Sequence, residues 1–263
     1  MPYICKHTKI TFQLRYFLEI AYKGTKYHGW QLQPNAISVQ ELINKALTTI
    51  LRKPINIVGA GRTDAGVHAE QLFAHFDIDS IFNIDEVVYK TNALLPNDIV
   101  ILNIMKVIED AHARFDAIQR SYQYRIFLGR NPFLVETTWQ LINKKLNVVK
   151  MNEAAKILLT YTNFKCFSRS NTDVKTYDCD LKKALWVQNK QHLIFYITAD
   201  RFLRNMVRAV VGTLLDVGTN KTSLEEFKKI IESKNRSNAG PSAPPQGLFL
   251  TEVTYPNRIF IHE

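Results

Sequence analysis

The stretch Gly59-Ala60-Gly61-Arg62-Thr63-Asp64-Ala65-Gly66-Val67-His68 lies between two apolar segments, residues 55–58 and 72–76. Both segments have the length and composition of short strands. Glycines permit positive φ angles or allow a flat ligand to approach the backbone closely. The pattern therefore predicts a strand–loop–strand unit with Asp64 at the tip of the loop.

The loop carries a guanidinium and a carboxylate two residues apart, Arg62 and Asp64. A nearby cation favours the ionised form of a carboxylate, which makes Asp64 a candidate nucleophile or base. The alternative is that the Arg–Asp pair only braces a tight turn. Two phosphate-binding motifs do not fit. A P-loop needs a Gly-Lys-Ser/Thr ending, and a dinucleotide fingerprint needs a third glycine three residues after the second, followed by a helix.

The elements on either side of the loop follow the order β-α-β-β-α-β. Alternating apolar residues at 12–20 predict a strand, and the capping-box pattern Ser38-Val39-Gln40-Glu41 predicts a helix at 39–50. Beyond the loop we predict a helix at 84–94 and a strand at 99–108. This order is the split βαβ arrangement of ferredoxin-like folds.

A similar pattern returns after a polar segment at residues 109–116, which we predict to be a linker. We therefore expect an α+β fold of two ferredoxin-like, RRM-like halves, residues 1–108 and 117–263, with antiparallel sheets, helices on one face and a basic cleft between the halves. In the second half we predict strands at 122–128, 181–187, 192–199 and 248–255, and helices at 151–161, at 202–217 and after Ser223.

The composition favours a nucleic-acid partner. The chain has 263 residues and a net charge of +10, and such an excess of cations suits a polyanion. Cys5, Cys166 and Cys179 show no paired spacing, which argues against a disulfide framework and for a reducing compartment. The histidines lack the spacing of a metal site, and no segment is apolar enough to span a bilayer. We expect a cytoplasmic protein without a metal, a cofactor or a membrane segment.

Two further segments combine cations with apolar residues. In Arg120-Ser121-Tyr122-Gln123-Tyr124 the tyrosines share one face of a strand, either as core residues or to stack on an extruded base. Arg201, Arg204 and Arg208 have the i, i+3, i+7 spacing of one helical face. That row is either a solvated stripe or, because the helix is otherwise apolar, an anion-binding surface.

These motifs resemble the TruA family of tRNA pseudouridine synthases. The eight residues Gly61–His68 match the family signature around its catalytic aspartate. The segment from Arg120 to Tyr124 is similar to its Arg-x-Tyr-x-Tyr element, and Phe202 with Met206-Val207-Arg208 is similar to its Phe-x-x-x-Met-Val-Arg element. Similar pieces run along nearly the whole chain.

The resemblance implies an isomerase that acts on uridines 38, 39 and/or 40 of the tRNA anticodon arm, as a homodimer and without a cofactor or metal. It implies that Asp64 is catalytic, that Arg208 pairs with it, that Tyr122 stacks on the target base, and that Arg62 holds the flipped nucleotide. We also expect Arg201 and Arg204 to bind the substrate. Alternatives are a non-catalytic tRNA-binding or folding protein, a pseudouridine synthase with another RNA target, and a nucleotide-binding enzyme built on the glycine loop.

Overall fold

The computed structural model describes residues 13–169 and 174–261. The first half contains β1 (Leu14–Tyr22), α1 (Val39–Leu51), β2 (Val58–Gly59), β3 (His68–Ile78), α2 (Ile84–Leu94) and β4 (Ile99–Val107). The second half contains β5 (Gln119–Leu128), β6 (Trp139–Leu141), α3 (Val148–Leu158), β7 (Leu181–Asn189), β8 (His192–Ala199), α4 (Met206–Gly218), α5 (Leu224–Glu232) and β9 (Leu248–Thr254).

All of these strands belong to one sheet of nine strands. The main path is β4-β1-β3-β9-β5-β8-β7, with β2 paired to β3 and β6 to β5. Each half therefore repeats the same local order, β4-β1-β3-β2 and β9-β5-β8-β7, and most neighbours are antiparallel. The predicted α+β class with two split βαβ units is confirmed.

From the sequence we expected each half to have its own antiparallel sheet, but the strands of both halves form one continuous sheet. β2 covers β3 only at Ala74 and His75, so the beginning of β3 has a free edge. β9 fills that edge with a parallel pairing of His68 with Phe249 and of Ala69 with Leu250. The loop that carries Asp64 leads directly into this junction, because it ends where β3 begins.

Most helices begin as their capping residues predict. The Ser38 hydroxyl accepts the N–H of Glu41 at the start of α1, and a complete capping box of Ser223 and Glu226 opens α5. α2 has the predicted bounds and begins after Asn83, whose side chain accepts an N–H of the first turn. These caps satisfy backbone donors that have no partner within the helix.

The beginning of α4 differs from the sequence prediction. The helix was expected from residue 202, but it begins at Met206 because Asn205 has a left-handed conformation with φ 66°. Phe202 and Leu203 lie in an irregular segment and still pack inward, which explains why their apolar character suggested a helix. The prediction that Arg201, Arg204 and Arg208 share one helical face is wrong, because only Arg208 lies on α4.

Two buried clusters fill the molecule, one under each half. The first includes Phe17, Ile43 and Leu72, and the second includes Phe195 and Val210. C-terminal side chains also pack into the first cluster: Leu250, Val253, Tyr255 and Ile259. The division at residues 108 and 117 stays a prediction. Over the described parts of the chain, no helix is both long and apolar enough to cross a membrane.

Candidate active site

Residues at the end of β1 and in the segment that follows it support the loop that carries Asp64. The Trp30 N–H donates to the Thr63 carbonyl at 3.3 Å, and the Tyr22 and Thr63 hydroxyls hydrogen-bond at 2.8 Å. Gly29 has φ +90°, and a Cβ there would lie 2.4 Å from the Thr63 oxygen. Only glycine fits this close approach, so the N-terminal segment and the loop are shaped to each other.

His68 fixes the end of the loop to the C-terminal half. The Gly24 N–H donates to Nδ1 at 3.0 Å, so the ring proton resides on Nε2, which donates to the Gln246 carbonyl at 3.1 Å. Burial lowers the pKa of His68 and keeps the ring neutral. The ring also stacks on Phe249 of β9 with centroids 4.5 Å apart. This histidine is therefore part of the loop's support.

The Asp64 carboxylate is paired with a guanidinium from α4. Arg208 Nη1 donates to Asp64 Oδ2 at 3.2 Å, and the side chains are 18% and 27% exposed. Arg208 Nε donates to the Ala243 carbonyl at 2.6 Å, which fixes the guanidinium before it meets the carboxylate. The structure thus brings together the two residues that the family resemblance pairs, although they are 144 positions apart in sequence.

Arg204 lies at the outer side of the same carboxylate. Its Nε is 3.9 Å from Asp64 Oδ1, which is too long for a hydrogen bond, and its side chain is 57% exposed. Arg201 is half-buried, and in residues 13–169 and 174–261 its side chain has no carboxylate within ion-pair distance. The structure therefore brings Arg204 near Asp64 but does not pair Arg201 with it.

Arg62 does not contact Asp64, although it stands two residues away. Its side chain is exposed and forms no ion pair with any carboxylate of the described chain. The alternative in which an Arg62–Asp64 pair braces the turn is therefore wrong. At Gly61 a Cβ would meet no atom within 4 Å, so this side of the loop is open space. A ligand therefore has access to the loop at Gly61, next to the exposed residue Arg62.

The two tyrosines of β5 have different surroundings. Tyr124 is fully buried, and its hydroxyl donates to the Pro244 carbonyl at 2.8 Å. Tyr122 is half-buried, and its ring lies perpendicular to that of Phe202 with the centroids 5.1 Å apart. Burial raises the pKa of Tyr122 to about 12, and the negative charge of Asp64 also raises it. Tyr122 is therefore protonated at neutral pH and lies close enough to Asp64 to respond to its charge.

Arg120 has a role that the sequence did not reveal. Its Nη1 donates to the carbonyls of Ala117 and Asp200 at 2.7 and 2.8 Å. Its Nη2 donates to the carbonyls of Arg114 and Ala60 at 2.7 and 3.4 Å. One guanidinium thus joins the linker, the Asp64 loop and the end of β8. Only its place in the Arg-x-Tyr-x-Tyr element singled it out, since no spacing predicts contacts with backbone carbonyls.

Known proteins resemble the chain along almost its whole length. A family model described as tRNA pseudouridine synthase matches residues 154–256. The tRNA pseudouridine synthase A of Bacteroides fragilis is 52% identical over 94% of this chain and 98% of its own length. The chain belongs to the tRNA pseudouridine synthase A family. The corresponding protein of Porphyromonas gingivalis is 49% identical over 94% of this chain and 99% of its own.

More distant members of the tRNA pseudouridine synthase A family match almost as completely. The protein of Thermoanaerobacter sp. (strain X514) is 38% identical over 90% of this chain and 97% of its own length. The family and the enzyme class predicted from the sequence are confirmed. A nucleotide-binding enzyme built on the glycine loop finds no support in this membership.

Proposed function

We propose that the protein isomerises uridine to pseudouridine at positions 38, 39 and/or 40 of the tRNA anticodon stem-loop, with Asp64 as the catalytic nucleophile. The observation that carries the proposal is the ion pair of Asp64 with Arg208 on a loop that is open to solvent at Gly61. Membership of the family supports tRNA as the substrate. The alternatives are a non-catalytic tRNA-binding or folding protein and a synthase with another RNA target.

The reaction rearranges one nucleoside and leaves its composition unchanged. The N1–C1′ bond breaks, the base turns, and a C5–C1′ bond forms, while C5 loses a proton and N1 gains one. Asp64 acts as an anion by attacking C1′, by attacking C6, or by removing a sugar proton to give a glycal. Arg208 donates to Oδ2, while Oδ1 accepts no hydrogen bond within the described residues, so we propose that Oδ1 is the reacting oxygen in all three routes.

Tyr122 supplies a flat, protonated aromatic surface beside the carboxylate. The perpendicular contact with the Phe202 ring fixes its orientation, and its hydroxyl has no hydrogen-bond partner among residues 13–169 and 174–261. We propose that the ring stacks on the target uracil and that the free hydroxyl takes part in proton transfer. An aromatic face in this position replaces the stacking that the base loses when it leaves the RNA helix or loop.

The cations around the loop hold the RNA. Arg62 projects into solvent, where we propose that it holds the flipped nucleotide outside the stack or binds its phosphate. Arg201 and Arg204 are proposed to bind the phosphates on either side. Extrusion of a base costs a few kcal/mol, and phosphate contacts of a protein with a net charge of +10 offset it. We also propose that the enzyme is a cytoplasmic homodimer whose tRNA contacts both subunits.

Tritium release from tRNA that carries 5-tritiated uridine tests the proposal. The wild type should release tritium, Asp64→Ala should release none, and Asp180→Ala should match the wild type because Asp180 is exposed on the surface. Equal release by wild type and Asp64→Ala would refute a catalytic role for Asp64. Binding of tRNA without release by the wild type would favour the non-catalytic alternative, and release only from another RNA would favour the other target.

A further inference from the structure

We propose that Phe115, together with Arg114, is a stacking platform for an unpaired RNA base that neighbours the target uridine. The identity of the RNA as tRNA rests on the proposed function. The platform itself rests on the exposure of Phe115, on the rigid turn that holds it and on its connection to the Asp64 loop.

Phe115 is exposed to an extent that packing does not explain. Its side chain is 74% exposed, while Ala113 and Ala117 on either side are buried. The turn itself is well fixed. The Ala113 N–H donates to His75 Nδ1 at 3.1 Å, and the Asp116 N–H donates to the His112 carbonyl at 3.0 Å. A large aromatic ring on an ordered turn binds a ligand at a small entropic cost.

The turn is connected to the Asp64 loop through a single nitrogen atom. Arg120 Nη2 donates both to the carbonyl of Arg114 and to the carbonyl of Ala60, four residues before Asp64. A row of rings gives a second connection. The ring centroids of His75 and His112 are 4.5 Å apart, and those of His112 and Phe115 are 4.3 Å apart. His75 pairs with β2 at the base of the same loop, so the platform and the loop are parts of one rigid unit.

The chemistry of the platform suits a nucleobase. The Arg114 guanidinium lies 5.6 Å from the centre of the Phe115 ring, and its side chain is exposed. Guanidinium and aromatic planes are the surfaces on which proteins stack single-stranded bases. When the target uridine flips out, the adjacent base loses a stacking neighbour, and Phe115 replaces that neighbour. The exposed cations Arg62 and Arg114 also favour a nucleic acid over an apolar protein surface.

Binding of an anticodon stem-loop RNA with 2-aminopurine beside the target position tests the platform. Phe115→Ala should weaken binding about 5- to 150-fold, the range for loss of one base–aromatic stack, and should abolish the quenching of the 2-aminopurine fluorescence. Phe115→Trp should retain both. Phe133→Ala is the matched control, because Phe133 is 93% exposed and lies on the turn after β5.

Equal affinities for Phe115→Ala and Phe133→Ala would overturn the proposal. It would also be overturned if Phe115→Ala changed the sedimentation of the free protein but not its affinity for RNA, because Phe115 would then contact protein. Failure of the proposed function has a different signature. The wild type would form no pseudouridine, while Phe115→Ala would still weaken RNA binding and Phe115→Trp would still restore it.

Discussion

Two single variants, Arg208→Gln and Arg204→Gln, distinguish the effects of the two cations that lie beside Asp64. Arg208 forms a hydrogen-bonded pair with the carboxylate, and both side chains are less than a third exposed. Arg204 lies at 3.9 Å and is 57% exposed. Both substitutions remove one positive charge, so the pair of variants tests whether contact with Asp64 or charge alone decides the rate.

The structure gives different magnitudes for the two contacts. A hydrogen bond to a charged group contributes about 1.5–3 kcal/mol, which converts to a loss of about 10- to 150-fold in kcat for Arg208→Gln if the bond orients the nucleophile. An exposed ion pair contributes about 0–1 kcal/mol, so Arg204→Gln should lower kcat no more than about fivefold. Arg204→Gln should act mainly on KM and lower the salt dependence of RNA binding.

Single-turnover rates on saturating tRNA, with the melting temperature of each variant as a control, measure this difference. Arg208→Gln also leaves the Ala243 carbonyl without its donor, so its unfolding free energy should fall by about 1–3 kcal/mol. Rates are therefore compared at a temperature at which every variant is folded. Equal losses of kcat in the two variants would refute the reasoning that the Arg208 contact orients Asp64.

Three further perturbations have expected outcomes. Arg62→Ala should leave the unfolding free energy within about 0.5 kcal/mol of wild type, because the side chain is exposed and unpaired in the described chain, but should abolish turnover. Gly29→Ala should lower the unfolding free energy, measured by chemical denaturation, by more than about 2 kcal/mol, because a Cβ at this positive φ would lie 2.4 Å from a loop carbonyl oxygen. Gly61→Ala is the control: a Cβ there has free space, so the unfolding free energy should fall by less than about 0.5 kcal/mol. Burial lowers the pKa of His75 to about 4. The unfolded chain therefore takes up a proton near pH 6.5 that the folded chain does not. Through His75, the unfolding free energy should fall by about 2 kcal/mol between pH 7 and pH 5. His75→Gln should make this fall smaller by about 2 kcal/mol without abolishing it, because burial also lowers the pKa of His68 and of His112, and the surface substitution His192→Gln is the control. An unchanged pH profile in His75→Gln would contradict the assignment.

The sequence predicted best the elements whose ends have local chemical signals. α2 begins at a capping asparagine and ends just before Pro96, and its observed bounds are the predicted ones. β8 follows a polar turn and also has the predicted bounds. Caps, prolines and turns act over a few residues, so a single sequence contains the information that they need.

The sequence failed where tertiary contacts override local pattern. The apolar residues Phe202 and Leu203 pack inward without a helix, because Asn205 turns the chain before α4. The pairing of β3 with β9 joins residues about 180 positions apart, and no local pattern reports the free edge of β3. Helical periodicity shows which residues are buried, but it does not distinguish a helix from an irregular buried segment.

The candidate site was likewise predicted only in part from the sequence. The turn chemistry of the loop placed Asp64 between β2 and β3 from the sequence alone. Its cationic partner was inferred only from the family resemblance, since spacing does not reveal a contact between residues 144 positions apart. Proximity in sequence was misleading for Arg62, whose side chain is exposed and forms no ion pair with Asp64. The support from Trp30 and Arg120 depends on backbone carbonyls, which carry no sequence signal.

The most direct test is to map modified uridines on tRNA after incubation with the purified protein and with Asp64→Asn, which keeps the shape of the side chain and removes its charge. The wild type should convert uridine at one or more of positions 38, 39 and 40, and Asp64→Asn should bind the tRNA with unchanged affinity and convert none. Pseudouridine at the same positions with Asp64→Asn, at the rate of the wild type, would contradict the account.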